Sequence, residues 1–124
     1  MDIVLADREA ELMEVLWDHG ACTVAEVREL VSDDLAYTTV LTMLRTLETK
    51  GYVTHEADGK AHRYSALIDR DAARRSALRA MSEKFFKGST AMLLTHLVAD
   101  EKLSADDLKR LKALLTRRAR KGRS

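Results

Sequence analysis

Proline is absent from this chain and glycine occurs only five times in 124 residues. Few positions can therefore force a turn, and helices are favoured over most of the length. The single cysteine, Cys22, excludes an internal disulfide and fits a reducing cytoplasm; its plainest role is that of a small buried side chain. No run approaches the roughly 18 consecutive apolar residues of a membrane span. The N-terminal stretch MDIVLADREAEL lacks the basic-then-apolar pattern of a signal peptide. A cytoplasmic protein without direct membrane binding is expected. Aromatic residues make up only 5% of the chain, which leaves little material for a small-molecule pocket. The apolar fraction of 46% is that of a folded protein, and the length suits one domain, or a small one with an appendage.

A net charge of +1 conceals two halves of opposite sign. Residues 1–66 carry 6 Lys and Arg against 13 Asp and Glu, or −7, while residues 67–124 carry 15 against 7, or +8. An acidic N-terminal half is awkward for any protein that binds nucleic acid through that half.

The pattern of apolar residues predicts three helices in residues 1–50. The first spans Asp7 to Asp18, capped by Asp7 and closed at Gly20, with Ala10, Met13, Leu16 and Trp17 buried. Thr23 and Glu26 form a capping box that opens a second helix to Val31, with Val27, Leu30 and Val31 inward. After a turn at Ser32–Leu35, a third helix runs from Ala36 to Lys50 and ends at Gly51. The period then changes to that of strands. Residues 52–56 and 61–65 form a hairpin around a turn at Ala57-Asp58-Gly59-Lys60. Three helices followed by a hairpin is the layout of a winged helix-turn-helix. The fold class expected is mainly α, with a winged-helix DNA-binding domain at 1–67 and a helical dimerisation domain at 68–124.

On the third helix, at about 100° per residue, Val40, Met43, Leu44 and Leu47 fall in one sector and face the core. Tyr37 opens the helix, and Thr38, Thr39, Thr42, Arg45, Thr46 and Thr49 cluster on the other side. A merely solvated face is more usually Glu, Lys and Gln, since β-branched residues are mediocre helix formers. Hydroxyls and methyls can meet phosphates, base edges and thymine methyls, while Arg45 suits guanine or phosphate and Lys50 a phosphate. A threonine-rich solvent face is the plainer alternative. On the wing, Lys60, His62 and Arg63 are placed to touch the backbone or the adjacent minor groove. His55 and His62 can face each other across the hairpin, but two histidines make a poor metal site, so no metal or cofactor is expected. No nucleophile–base spacing or phosphate loop marks an enzyme, and no catalytic residue is named.

Beyond the hairpin the chain reads as helical. A helix at 69–87 uses Leu78, Met81, Phe85 and Phe86 on its inner side and stops near Gly88. A second spans 90–98 with Met92, Leu93, Leu94, Leu97 and Val98. A third starts at a cap on Ser104, with Asp107 answering it, a Leu103/Leu108 staple, and a stripe of Leu108, Leu111, Leu114 and Leu115. Three short amphipathic helices can hardly bury their stripes alone, and a second copy is the expected solution. The basic run from Arg117 to Arg123 reads as a solvated tail that can also touch DNA backbone.

Four stretches carry a family resemblance: Glu11–Trp17, Leu35–Leu44, the Lys50-Gly51-Tyr52-Val53 exit, and Ala61-His62-Arg63-Tyr64. Through them the chain resembles the penicillinase-repressor family, the BlaI/MecI type of bacterial winged-helix regulators, over nearly its whole length. That resemblance implies a homodimer held by its C-terminal helices on a pseudo-palindromic operator. It also implies a membrane sensor metalloprotease as partner, whose activation leads to repressor cleavage. Alignment on Asp100-Glu101-Lys102-Leu103 puts the matching bond at His96–Leu97, where staphylococcal relatives have Asn-Phe. The copper-responsive branch is excluded, because its paired Cys-x-Cys motifs are missing. Two competing readings are a winged-helix sensor that binds a ligand directly and a protein-interaction module that has kept the fold without DNA binding.

Overall fold

Helix α1 (Asp7–His19) starts one residue away from the expected cap. Ala6 occupies the cap position, and Glu9 accepts its backbone N–H at 2.9 Å. Asp7 does not cap with its side chain; its charge instead favours the positive end of the helix. Gly20 closes α1 at φ +78°, and its N–H donates to the Leu16 carbonyl. This computed structural model describes residues 2–100 and 102–122; Glu101 of the alignment stretch and Arg123 of the basic run lie outside the described residues.

The capping box forms as expected. Thr23 accepts the Glu26 amide at 3.2 Å, Glu26 accepts the Thr23 amide at 3.2 Å, and α2 (Val24–Leu30) follows. Val27 and Val31 are buried, whereas Leu30 faces solvent. It lies about 100° around the helix from Val31, and a helix of seven residues has only one buried stripe. Helix α3 (Tyr37–Thr49) ends at Lys50 and Gly51, the latter at φ +85°.

Strands β2 (Val53–Asp58) and β3 (Ala61–Ala66) pair antiparallel, from Val53 with Ala66 to Asp58 with Ala61. The connecting loop is therefore two residues, Gly59 and Lys60, not the four expected. Gly59, at φ +62°, is the first loop residue, where a type II′ turn needs a glycine. A further strand, β1 (Cys22–Thr23), pairs with Tyr64 and Arg63 on the other side of β3 and gives the sheet order β1-β3-β2. Two residues carry no period, so nothing in their pattern announced this strand.

One core gathers α1, α2, α3 and the sheet around Leu12, Met13, Leu16, Val27, Val40, Leu44, Leu47, Val53 and Tyr64. Leu12 and Val15 join it, while Ala10 and Met43 are only half-buried. Trp17 is also half-buried and packs against the core, and its indole N–H donates to the Ile68 carbonyl at 2.9 Å. Ahead of α1, the Ile3 amide donates to Ser76 Oγ at 2.8 Å and the Val4 amide to Tyr52 Oη at 3.0 Å.

The chain divides into two compact units, Met1–Ala80 and Met81–Ser124, so α4 (Arg70–Phe85) contributes to both. Leu78, Met81 and Phe85, expected on the inner side of this helix and in the seam with a second copy, are exposed on α4 in the single chain. Its buried positions are Ala73, Ser76 and Ser82, small side chains that allow close approach. In the second unit α5 (Thr90–Asp100) buries Leu93, and α6 (Ala105–Lys121) opens on the expected box, with Ser104 Oγ accepting the Asp107 amide at 3.0 Å. Phe86 is half-buried, and its ring lies 5.5 Å from that of His96. No residue of α6 is buried.

Candidate nucleic-acid interface

Three contacts set the attitude of α3. Arg28 on α2 donates from Nε to the Leu35 carbonyl at 2.8 Å, tying α2 to the segment that opens α3. Glu11 on α1 accepts the Ser32 amide at 3.0 Å and the Ser32 hydroxyl at 2.7 Å, closing the end of α2. Lys50 Nζ, just past α3, lies 2.8 and 3.0 Å from the two carboxylate oxygens of Glu9. Glu9 is buried. Burial alone would push its pKa up, but the Lys50 hydrogen bond, the Ala6 amide and the Lys50 charge together bring it below the usual range. These pairings cannot be read from the sequence, because side chains on separate helices show no pairing until the helices pack.

Val40, Leu44 and Leu47 anchor α3 in the core, so its opposite face is turned outward. Tyr37, Thr38, Thr39, Thr42, Arg45, Thr46 and Thr49 are all exposed there. The threonines are not equivalent. Thr46 donates its hydroxyl to the Thr42 carbonyl and Thr49 to the Arg45 carbonyl, both at 3.0 Å. Each has spent its one donor on the helix and offers outward only a methyl and spare lone pairs. The hydroxyls of Thr38, Thr39 and Thr42 make no hydrogen bond among the described residues and remain free to donate.

The cations differ in the same way. Lys50 shares its charge with Glu9. Arg63 donates to Asp58 Oδ2 at 3.1 and 2.9 Å and to the Ala21 carbonyl at 3.1 Å, with Glu26 also 3.1 Å away. Asp58 and Glu26 hold the Arg63 pKa above its ordinary value even against desolvation. Lys60, at the tip of the hairpin, is exposed and has no ion-pair partner among the described residues. Arg45 is exposed beside Tyr64. Burial raises the Tyr64 phenol pKa, the Glu48 charge adds to this, and Arg45 partly offsets it. The outward face therefore carries less free positive charge than its residue types suggest.

His55 and His62 do come together across the hairpin, though not as direct cross-strand partners. The register sets His55 against Tyr64 and His62 against Ala57, yet the two rings stack with centroids 4.4 Å apart. Among the described residues no cluster of three or more His, Cys, Asp and Glu side chains is placed to hold a metal ion. No helix among them is long and apolar enough to cross a membrane.

The residues assigned to dimerisation fall into two groups. Leu93 is buried and Leu94 and Leu111 are half-buried, whereas Leu78, Met81, Phe85, Leu97, Leu108 and Leu115 are exposed, as are Met92, Val98 and Leu114. His96 and Leu97 both lie inside α5 and are exposed, with His96 Nδ1 3.5 Å from Asp100 Oδ2.

The penicillinase repressor family matches residues 5–117 of the chain. A transcriptional regulator BlaI of Mycobacterium tuberculosis is 36% identical over 115 residues, covering 90% of this chain and 82% of that protein. A penicillinase repressor of Bacillus licheniformis is 25% identical, over 90% of this chain and 88% of its own length. Among solved structures, the DNA-binding domain of the repressor BlaI superposes with a TM-score of 0.50 at 31% identity, covering 56% of this chain and 90% of that domain. MepR, a transcription regulator of the Staphylococcus aureus multidrug efflux pump MepA, superposes with a TM-score of 0.51 over 94% of this chain and 79% of its own. At 18% identity, that likeness shows the winged-helix fold alone. The chain thus has the fold and the sequence of DNA-binding transcriptional regulators rather than of enzymes, and it belongs to the penicillinase repressor family.

Proposed function

We propose that this protein is a homodimeric repressor that binds a pseudo-palindromic operator through α3 and the β2–β3 wing. The observation that carries the reading is the outward face of α3, where Thr38, Thr39 and Thr42 keep free hydroxyls beside Arg45. Such a face can donate to phosphates, accept from base edges and meet thymine methyls in a major groove. The wing adds Lys60 and His62 for the flanking backbone or minor groove. Lys50 and Arg63 contribute charge that is already shared with carboxylates, so most discrimination falls to the threonines and Arg45.

The second copy follows from the exposed apolar side chains at 81–124. Phe85, Leu97, Leu108 and Leu115 stand in water in the single chain, and a two-fold partner is the simplest cover for them. Two half-sites also compensate an acidic reading domain through avidity. Relief by a membrane sensor metalloprotease, with cleavage at His96–Leu97, completes the proposed circuit. That bond lies within α5, so a protease needs the helix locally unwound before it can cut. Fluorescence anisotropy on a labelled fragment of the protein's own promoter region tests the first step. Saturable binding by a dimer, competed poorly by unrelated DNA, is expected; equal affinity for both DNAs refutes operator recognition.

A further inference from the structure

Glu48, His55 and His62 form a run of side chains leading from α3 to the outer half of the wing. His55 Nδ1 lies 2.8 and 2.7 Å from the two carboxylate oxygens of Glu48. A carboxylate only accepts, so Nδ1 carries the hydrogen and donates it. His62 stacks on His55, with an interplanar angle of 16°. Tyr64 flanks His55 at 5.3 Å and is itself within the influence of Arg45 and Tyr37 of α3. His62 is exposed, and its ring nitrogens have no hydrogen-bond partner among the described residues.

The sheet explains why such a run matters. Among the described residues β1 supports β3 only at Tyr64 and Arg63, so there the hairpin from His62 outward has two strands and no third. An unsupported two-stranded ribbon is marginally ordered in water. Any side chain on it that must meet DNA loses conformational freedom on binding unless something has already restrained it.

We propose that His55 is a positioning residue: Glu48 on α3 fixes His55, and His55 fixes the ring of His62 for contact with DNA. The proposal rests on the DNA-binding reading above. It makes wing and recognition helix one mechanical unit, so that docking α3 in the major groove also presents His62 to the flanking backbone or minor groove. Glu48 and His55 are thereby placed as residues that influence operator affinity without touching DNA.

Two measurements on the full chain test it. In the protein without DNA, cross-relaxation between the His55 and His62 ring protons is compared in wild type and Glu48→Ala by NMR. At least a twofold loss of that signal is expected in the variant, and an unchanged signal overturns the tether. On promoter DNA, His62→Ala is expected to weaken binding about fivefold. His55→Ala should do the same, with the double variant within about twofold of His62→Ala alone. Loss of hydroxyl-radical protection should be confined to the part of each half-site covered by the wing. Should His55→Ala disturb the hairpin, His55→Phe keeps a ring for stacking and removes only the bond to Glu48. Multiplying effects of the His55 and His62 substitutions, or protection lost evenly across the half-site, overturn the positioning role. Absence of any wild-type footprint overturns the DNA-binding reading and the role on DNA with it, while the ring signal still decides the tether.

Discussion

Replacing Glu9 with alanine removes a buried charge from the first unit. Glu9 is only 7% exposed, accepts the Ala6 amide at 2.9 Å, and holds Lys50 Nζ at 2.8 and 3.0 Å. Three losses follow from its removal. The amide at the start of α1 is left without its acceptor, which costs about 1 kcal/mol in capping series. The Lys50 pair is worth about 0.5–1 kcal/mol and no more, since the lysine side chain is 37% exposed and can be rehydrated. Burial of the side-chain methylenes adds about 1 kcal/mol. The expected destabilisation is about 2–3 kcal/mol, a large effect for a single substitution. Trp17 is the single tryptophan and lies in the first unit, so its fluorescence during urea unfolding reports on that unit. At a fixed protein concentration the midpoint should fall by about 1 M urea.

The pH dependence sharpens this test. The Glu9 pKa is lowered on folding, so its ionised form is the stabilising one. That contribution is complete above the unfolded glutamate pKa, ~4.3, and is lost as pH falls through the lower folded value. The stability difference between wild type and Glu9→Gln should thus be full near neutrality and shrink as the solution is acidified below ~4.3. A loss under about 0.5 kcal/mol for Glu9→Ala, the scatter of ordinary surface changes, refutes the reasoning. So does a wild type–Glu9→Gln difference that stays constant across the acid range.

Other outcomes follow from the same contacts. Thr42→Ala should weaken specific binding by about 1–3 kcal/mol if its free hydroxyl meets a base. Thr46→Ala, whose hydroxyl is already bonded to the Thr42 carbonyl, should cost clearly less, and anisotropy titrations showing the reverse order would remove Thr42 from the reading face. Leu115→Asp should leave the single chain folded, because the side chain is 52% exposed there, but should yield monomers in sedimentation velocity; a persistent dimer would place the interface elsewhere. Mass spectrometry of the protein from induced cells should find fragments ending at His96 and beginning at Leu97, and an intact chain throughout would exclude that bond.

Some of this molecule was legible because the signal was local. The box at Thr23 and Glu26 needs only two side chains three residues apart, and it formed as read. The same holds for Ser104 and Asp107, and for the buried stripe Val40, Leu44 and Leu47. The hairpin was found, but its loop was read too long, because Asp58 still pairs with Ala61 and only Gly59 needs a positive φ. Leu78, Met81 and Phe85 mark the limit of such a local signal. A helical period says which residues share a face, not whether the chain itself covers that face, and here it does not.

Read alone, the sequence determined the order of helices and hairpin, the hydroxyl-rich face of α3 and the family to which the chain is similar. Each depends on residues near one another along the chain, where backbone preference and side-chain period act directly. Tertiary structure decided which of those residues remain available. It gave Lys50 to Glu9 and Arg63 to Asp58, turned the Thr46 and Thr49 hydroxyls back onto the helix, and stacked His62 on a histidine held from α3. Charge and hydrogen-bonding capacity can be counted from residue types, but whether they are already spent depends on partners up to 73 residues away, which only packing brings within reach.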